Sequence, residues 1–190
     1  MKDDELISKG TDLHSYNNSW YRPGSAWKRF LWYWINAFVF NSSLFPFYKL
    51  KVLFLKAFGA KAGKGICIKP NVNIKYPWFL EIGDNTWIGE HVWIDNLASV
   101  RLGDNVCLSQ GCMILSGNHD YTRATFDLMI KAIVLEDGVW IGARAIVCGG
   151  IICKHHAVLS LGSVATSDLE PLSVYQGNPA VKLKERKMIW

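Results

Sequence analysis

The stretch IGDNTWIGEHVWIDNLAS, residues 82–99, divides into three consecutive hexads. Each opens with isoleucine, and its fifth residue is small or β-branched: Thr86, Val92 and Ala98. Val100 and Arg101 follow, and the pattern restarts as LGDNVC, LSQGCM and ILSGNH over residues 102–119. The period is three hexads plus a dipeptide, or 20 residues. Upstream, AGKGIC, IKPNVN and IKYPWF are closed by Leu80 and Glu81. Downstream, after Ile133 and Val134, the hexads LEDGVW, IGARAI, VCGGII, CKHHAV and LSLGSV run unbroken from 135 to 164.

A six-residue period with one aliphatic anchor fits neither a 3.6-residue helix nor simple strand alternation. It fits short strands joined by sharp corners, each hexad forming one side of a triangular coil. The opening aliphatic residue stacks inward on its equivalent one coil away, and the fifth residue is small because it points into a crowded corner. Glycine at the second position is expected to supply turn dihedrals that other residues resist. The predicted fold is an all-β solenoid with a continuous aliphatic core. Residues 1–60 read as an N-terminal arm and an aromatic helical segment, 61–168 as the β-helix with an excursion over 120–132, and 169–190 as a tail ending in a short helix.

The rest of the composition sets bounds. At 190 residues, half of them hydrophobic, the chain holds one well-cored domain and is not a disordered chain. A net charge of +5, with the one basic concentration in the tail VKLKERKMIW, does not suggest a nucleic-acid partner. The cysteines at 67, 107, 112, 148 and 153 are odd in number and lack CxxC spacing, as reduced thiols would. The N-terminus MKDDELISKG has no apolar signal core, so a cytoplasmic protein is expected. The apolar run FLWYWINAFVF (30–40) is too short to span a bilayer. Trp27, Phe30, Leu31, Trp34 and Phe38 fall at helical spacing in one or two helices broken near Pro46. Their expected role is to cap the first coil, with a peripheral membrane contact as the alternative.

The hexads resemble those of the hexapeptide-repeat transferases, a superfamily of left-handed parallel β-helices that usually trimerise. VWIGARAIV (139–147) and YQGNPAVKL (175–183) are similar to the closing segments of the maltose and galactoside O-acetyltransferases. LKAFGAKAGKGICI (55–68) and PWFLEIGDNTWIGE (77–90) resemble the colanic-acid-biosynthesis acetyltransferase branch more closely. The resemblance implies a homotrimer that transfers acetyl from acetyl-CoA to a saccharide hydroxyl, with an exopolysaccharide precursor as one such acceptor, without a metal.

His119 is the candidate catalytic residue. It closes ILSGNH at an outward position, where the repeat breaks off, and interrupted repeats mark functional faces. Phe79 and Ser99 are its expected neighbours in one outward column. Imidazole is mostly neutral at pH 7 and can take the proton of an attacking alcohol, while backbone N–H groups at a corner can stabilise the oxyanion. The alternative from position alone is a loop-opening histidine; the resembled enzymes carry their catalytic histidine here. The same resemblance places Trp140, Gly142, Ala143 and Leu161 along the thioester arm of coenzyme A. It places Thr166 and Ser167 nearer the nucleotide, where many relatives have lysine in place of Ser167, a charge that Lys184 could supply instead. Asp95 and Asn96 are candidates for the acceptor site, and Asp120 for either a partner of His119 or a loop cap. His155 and His156 read as surface residues. Trp87 and Trp93, also outward, suggest a subunit interface.

Two other classes remain open. The γ-class carbonic anhydrases share this coil but bind zinc through three histidines, a set that looks incomplete here because position 124 is alanine. A non-catalytic β-helix scaffold would need neither His119 nor a CoA segment.

Overall fold

The computed structural model describes residues 10–189; the first nine residues of the expected arm lie outside the described residues. From residue 61 the chain winds into a triangular coil of short parallel strands. The first face carries Lys61–Ala62, Leu80–Ile82, Val100–Leu102, Ile133–Leu135 and Ile152–Cys153. The second carries Cys67–Ile68, Trp87–Ile88, Cys107–Leu108, Trp140–Ile141, Val158–Leu159 and Ser173–Gly177. The third carries Asn73–Ile74, Trp93–Asp95, Met113–Leu115, Ile146–Cys148 and Val164–Ala165. The 20-residue register is visible in the pairs Glu81↔Arg101, Trp87↔Cys107 and Trp93↔Met113.

The opening residues of the hexads form the core. Ile82, Ile88, Ile94, Leu102, Leu108, Ile114, Leu135 and Ile141 are all buried, and each contributes about 1.5–3 kcal/mol of burial. Fifth-position residues are buried beside them, among them Thr86, Val92, Val106, Cys112 and Val139. The cysteines are free thiols, and burial pushes those of Cys112 and Cys153 up to about 12.

The corners differ from expectation in one respect. Positive φ belongs to the fourth residue of the hexad, not the second: Asn85 (54°), His91 (58°), Asn105 (56°), Arg144 (56°) and His156 (58°). The second-position glycines answer a different need, the close approach of neighbouring coils. A Cβ on Gly83 would lie 2.5 Å from the Gly103 carbonyl carbon, and one on Gly103 would lie 2.8 Å from the Asp137 nitrogen. The aspartates that follow join the coils, since the backbone N–H of Asp84 donates to Asp104 Oδ1 (2.6 Å) and that of Asp104 to Asp137 Oδ1 (2.8 Å).

Helix α1 (Ala26–Ile35), extended by a π turn (Asn36–Phe40), and helix α2 (Tyr48–Ala57) lie across the start of the coil. Ser25 caps α1 by accepting from the backbone N–H of Lys28. An open solenoid end leaves unpaired strand groups, and here side chains satisfy them. Trp32 Nε1 donates to the Ile74 carbonyl (2.8 Å), and the Ile74 N–H donates to Asn36 Oδ1 (3.1 Å). Lys51, wholly buried, donates to the Lys69 carbonyl at 2.9 Å, and burial lowers its pKa. Capping is therefore real, but the residues that perform it are Trp32, Ile35, Val39, Phe40 and Leu55. The expected set of Trp27, Phe30, Leu31, Trp34 and Phe38 faces outward.

The tail also departs from expectation. In place of a short helix, Ser173–Gly177 continues the second face and Ala180–Glu185 pairs antiparallel with it. Arg186 Nη1 then donates to the carbonyls of Gly138 (3.0 Å) and His156 (3.1 Å), fastening the tail to two earlier coils.

Candidate active site

The coil is left at Gly117, three residues before Asp120. Ser116 is the last residue held in register: its hydroxyl accepts the Ala98 N–H (2.9 Å) and donates to the Asp95 carbonyl (3.0 Å). Gly117–His119 then pairs antiparallel with Leu128–Ile130, and the Lys131 N–H closes the excursion on the Ser116 carbonyl at 2.9 Å. His119 consequently does not complete the column of Phe79 and Ser99. Ile133 pairs with Val100 and its N–H donates to the Ser99 carbonyl, so Ala132 follows Ser99 in the coil. The antiparallel hairpin lifts His119 off the solenoid wall.

The hairpin fixes the ring. His119 Nδ1 lies 2.9 Å from the Phe126 carbonyl, and the two rings stack with centroids 4.4 Å apart and planes 6° from parallel. A carbonyl can only accept, so Nδ1 carries the proton and the neutral ring presents a bare Nε2. Phe126 holds its carbonyl there at φ 49°, a left-handed conformation uncommon for an aromatic residue. The turn that imposes it is tied by an Arg123–Asp127 ion pair (2.7 Å), by Asp120 N–H to the Asp127 carbonyl (2.9 Å) and by Phe126 N–H to the Arg123 carbonyl (3.0 Å). Asp120 accepts from the backbone and hydroxyl of Thr122, which holds its carboxyl below the usual range. It caps the loop, and His119 takes its orientation from Phe126.

A cavity of about 560 Å³ opens beside His119. Residues from the N-terminal arm, which the sequence did not mark, line it: Tyr16, whose ring centroid is 5.6 Å from that of His119, then Tyr21 and Arg22. Arg29 of α1 and Lys75 and Tyr76 of the first coil complete the wall. The arm is held by the Asp12 N–H on the Ala124 carbonyl (2.8 Å) and by Tyr21 Oη donating to the Leu97 carbonyl (2.6 Å). Burial, and then the neighbouring Tyr76 and Asp95, push the Tyr21 hydroxyl well above the ordinary phenol range.

The acceptor candidates separate. Asn96 is fully buried, with both ends of its amide bonded to the Tyr76 backbone (2.6 and 3.0 Å). Asp95 forms an ion pair with Lys75 (3.1 Å). Trp140, Gly142, Ala143 and Leu161 gather at the corner between the second and third faces. Trp140 Nε1 donates to Ser109 Oγ (2.9 Å), Leu161 is 77% exposed, and a Cβ on Gly142 would lie 2.5 Å from the Leu161 nitrogen. Such a corner offers an apolar wall and bare backbone to a slender ligand. Thr166 and Ser167 follow the third face two coils beyond Leu115 and Ser116, on the corner from which the His119 hairpin departs. Lys184 lies on the second face, in line with Trp140 through Val158 and Val174, so it does not accompany Ser167. Within one chain, then, His119 and the Trp140 corner stand on different edges of the coil. Of the other histidines, His91 and His156 sit in corner turns, and the His155 ring lies 3.5 Å from Glu136 Oε2. Among the described residues no three histidine, cysteine, aspartate or glutamate side chains are grouped to hold a metal ion.

No family model matches the chain. It is 32% identical over 166 residues to the putative colanic acid biosynthesis acetyltransferase WcaF of Escherichia coli, covering 87% of this chain and 91% of that one. It is 25% identical over 134 residues to the galactoside O-acetyltransferase of Escherichia coli, covering 69% and 66%. Among solved structures, it superposes on a hexapeptide-repeat acetyltransferase of Vibrio cholerae complexed with acetyl coenzyme A. The TM-score is 0.78 at 25% identity, with 88% of this chain and 93% of that one covered.

Proposed function

The chain belongs to the hexapeptide-repeat acetyltransferases, which are left-handed β-helices, and we propose that it transfers acetyl from acetyl-CoA to a saccharide hydroxyl with His119 as general base. The observation that carries this reading is the hydrogen bond from Nδ1 to the Phe126 carbonyl, which leaves Nε2 unprotonated on a residue that lines a cavity. Acetyl-CoA supplies the activated acyl group as a thioester. His119 Nε2 takes the acceptor's hydroxyl proton as that oxygen attacks, and returns it to the departing sulfur. Phe126 and its turn hold the ring in the tautomer that permits both transfers.

The Trp140 corner fits the cofactor. Gly142 keeps backbone groups accessible where a Cβ would collide, and Trp140 and Leu161 supply exposed apolar surface. Thr166, Ser167 and Lys184 are assigned to more distant parts of the coenzyme, and Asp95, with Lys75, to the acceptor. Asn96 supports Tyr76 instead of touching the acceptor. Because His119 and the Trp140 corner lie on different edges, the site is assembled between chains of a trimer, one giving His119 and the next the coenzyme wall. Exposed Trp87 and Trp93 support burial between chains. The saccharide class rests on the names of the colanic acid and galactoside relatives. A cytoplasmic location accords with the free cysteines; among the described residues no helix is long and apolar enough to cross a membrane.

The test is release of coenzyme A thiol from acetyl-CoA against a panel of mono- and oligosaccharides. Acceptor-dependent release, with an acetyl ester recovered on the sugar, is the expected result. Binding of acetyl-CoA without transfer to any acceptor in the panel would count against the saccharide, and failure to bind it would count against the enzyme.

A further inference from the structure

The aromatic side chains of α1 form a ladder on the side of the helix away from the coil. Trp27 stacks on Phe30 (centroids 6.1 Å apart), Phe30 meets Trp34 edge-on (6.3 Å), and Trp34 stacks on Phe38 (5.7 Å). Tyr33 joins Trp34 at 5.3 Å. Trp27, Phe30, Tyr33 and Phe38 are each more than half exposed. The opposite side of the same helix is fully used in capping, so the ladder is not a displaced core face. Isolated exposed aromatics are ordinary, but a row of five in ring-to-ring contact marks a surface that something covers.

The charge around it says what. Between Asp12 and Glu81 the chain has no acidic residue and ten lysines and arginines, whereas residues 81–190 carry 12 acidic and 9 basic residues. The whole positive excess is therefore concentrated in the segment that carries the ladder. Arg22, Arg29, Lys49 and Lys56 are exposed, and none has an acidic partner within 4.0 Å among the described residues. A helix with Trp, Tyr and Phe on one side, too short to span and carried in the segment that holds the positive excess, has the chemistry of a segment that lies in a bilayer interface. Anionic headgroups would meet the cations, and the rings would enter the boundary between headgroups and acyl chains.

We infer that the Trp27–Phe38 face of α1 docks the protein on an anionic phospholipid surface. Arg29 belongs both to this helix and to the wall of the cavity beside His119. Docking would therefore hold that cavity near the headgroups, where an acceptor carried on a lipid anchor would be presented. That last consequence rests on the acetyl-transfer reading; the docking itself does not.

The experiment is sedimentation of the full-length protein with phosphatidylcholine vesicles, with and without phosphatidylglycerol. The protein should sediment with the anionic vesicles, hardly at all with pure phosphatidylcholine, and less as salt is raised. Replacing Phe30, Trp34 and Phe38 together by serine should lower the partition coefficient at least about tenfold while leaving acetyl-CoA affinity, seated on the later coils, unchanged. Wild-type protein that stays in solution with anionic vesicles would overturn the inference, whatever the variant does. So would a folded variant that binds vesicles as the wild type does, or one whose assembly dissociates, since the ladder would then be covered by a second copy. Vesicle binding is read without turnover, so its failure is separable from failure of the acetyl-transfer assay.

Discussion

A histidine acts as a base through whichever ring nitrogen lacks the proton, and here a main-chain carbonyl makes that choice. The Phe126 carbonyl fixes Nδ1–H, and the Phe126 ring lies flat on the imidazole. Phe126→Gly removes the ring while accepting the left-handed φ without strain, so the hydrogen bond persists but the stacking is lost. Turnover should fall about tenfold to a hundredfold, as it does when a reacting group is misplaced, with acetyl-CoA affinity unchanged in a binding titration. Asp120→Asn should leave turnover nearly intact, because that carboxylate serves Thr122. A large loss there would mean that Asp120 orients the ring after all. The position of His119 was legible in the sequence as a polar residue where a repeat stops. Phe126 was not, since nothing in DYTRATFD announces which backbone oxygen will turn inward. Tyr16, Tyr21 and Arg22 were equally silent, because an arm that docks through two backbone carbonyls leaves no periodic pattern.

At the scale of the hexad, two kinds of corner residue do different work. Gly103→Ala would push a Cβ against the backbone of Glu136 and Asp137 and should cost about 1–3 kcal/mol. Asn105, two residues later, holds φ 56°; Asn105→Gly should be nearly neutral, and Asn105→Val should cost about 1–2 kcal/mol. Urea unfolding of the three variants checks the division, and a harmless Gly103→Ala would contradict it. The hexads were readable because one aliphatic residue every six positions leaves a single way to build a core. The role of their glycines was not, since close approach and positive φ both select glycine. ILSGNH satisfies the hexad pattern to its last residue, yet its final three residues leave the coil, because pairing with Leu128–Ile130 replaces the parallel rung. KLKERK has the composition of a helix, but the edge of the second face recruits its first four residues into a strand. In α1 the aromatic periodicity was correctly helical and wrongly oriented, because Trp32 and Asn36 find backbone partners on Ile74 that the other face could not reach.

Within one chain the two candidate half-sites lie on different edges of the coil, and the proposed function joins them across a partner chain. The protein should sediment as a trimer, and mixing His119→Ala subunits with subunits altered at the Trp140 corner should restore activity in part, since some interfaces would combine two intact halves. A stable, active monomer would contradict the shared site. Whether His119 is the base turns on one quantity. It is the kcat of folded His119→Ala protein with the acceptor that best supports coenzyme A release, taken alongside acetyl-CoA binding by the same sample. This kcat should lie about two to four orders of magnitude below wild type with acetyl-CoA affinity almost unchanged; a folded variant that acetylates at near the wild-type rate would rule His119 out as the base.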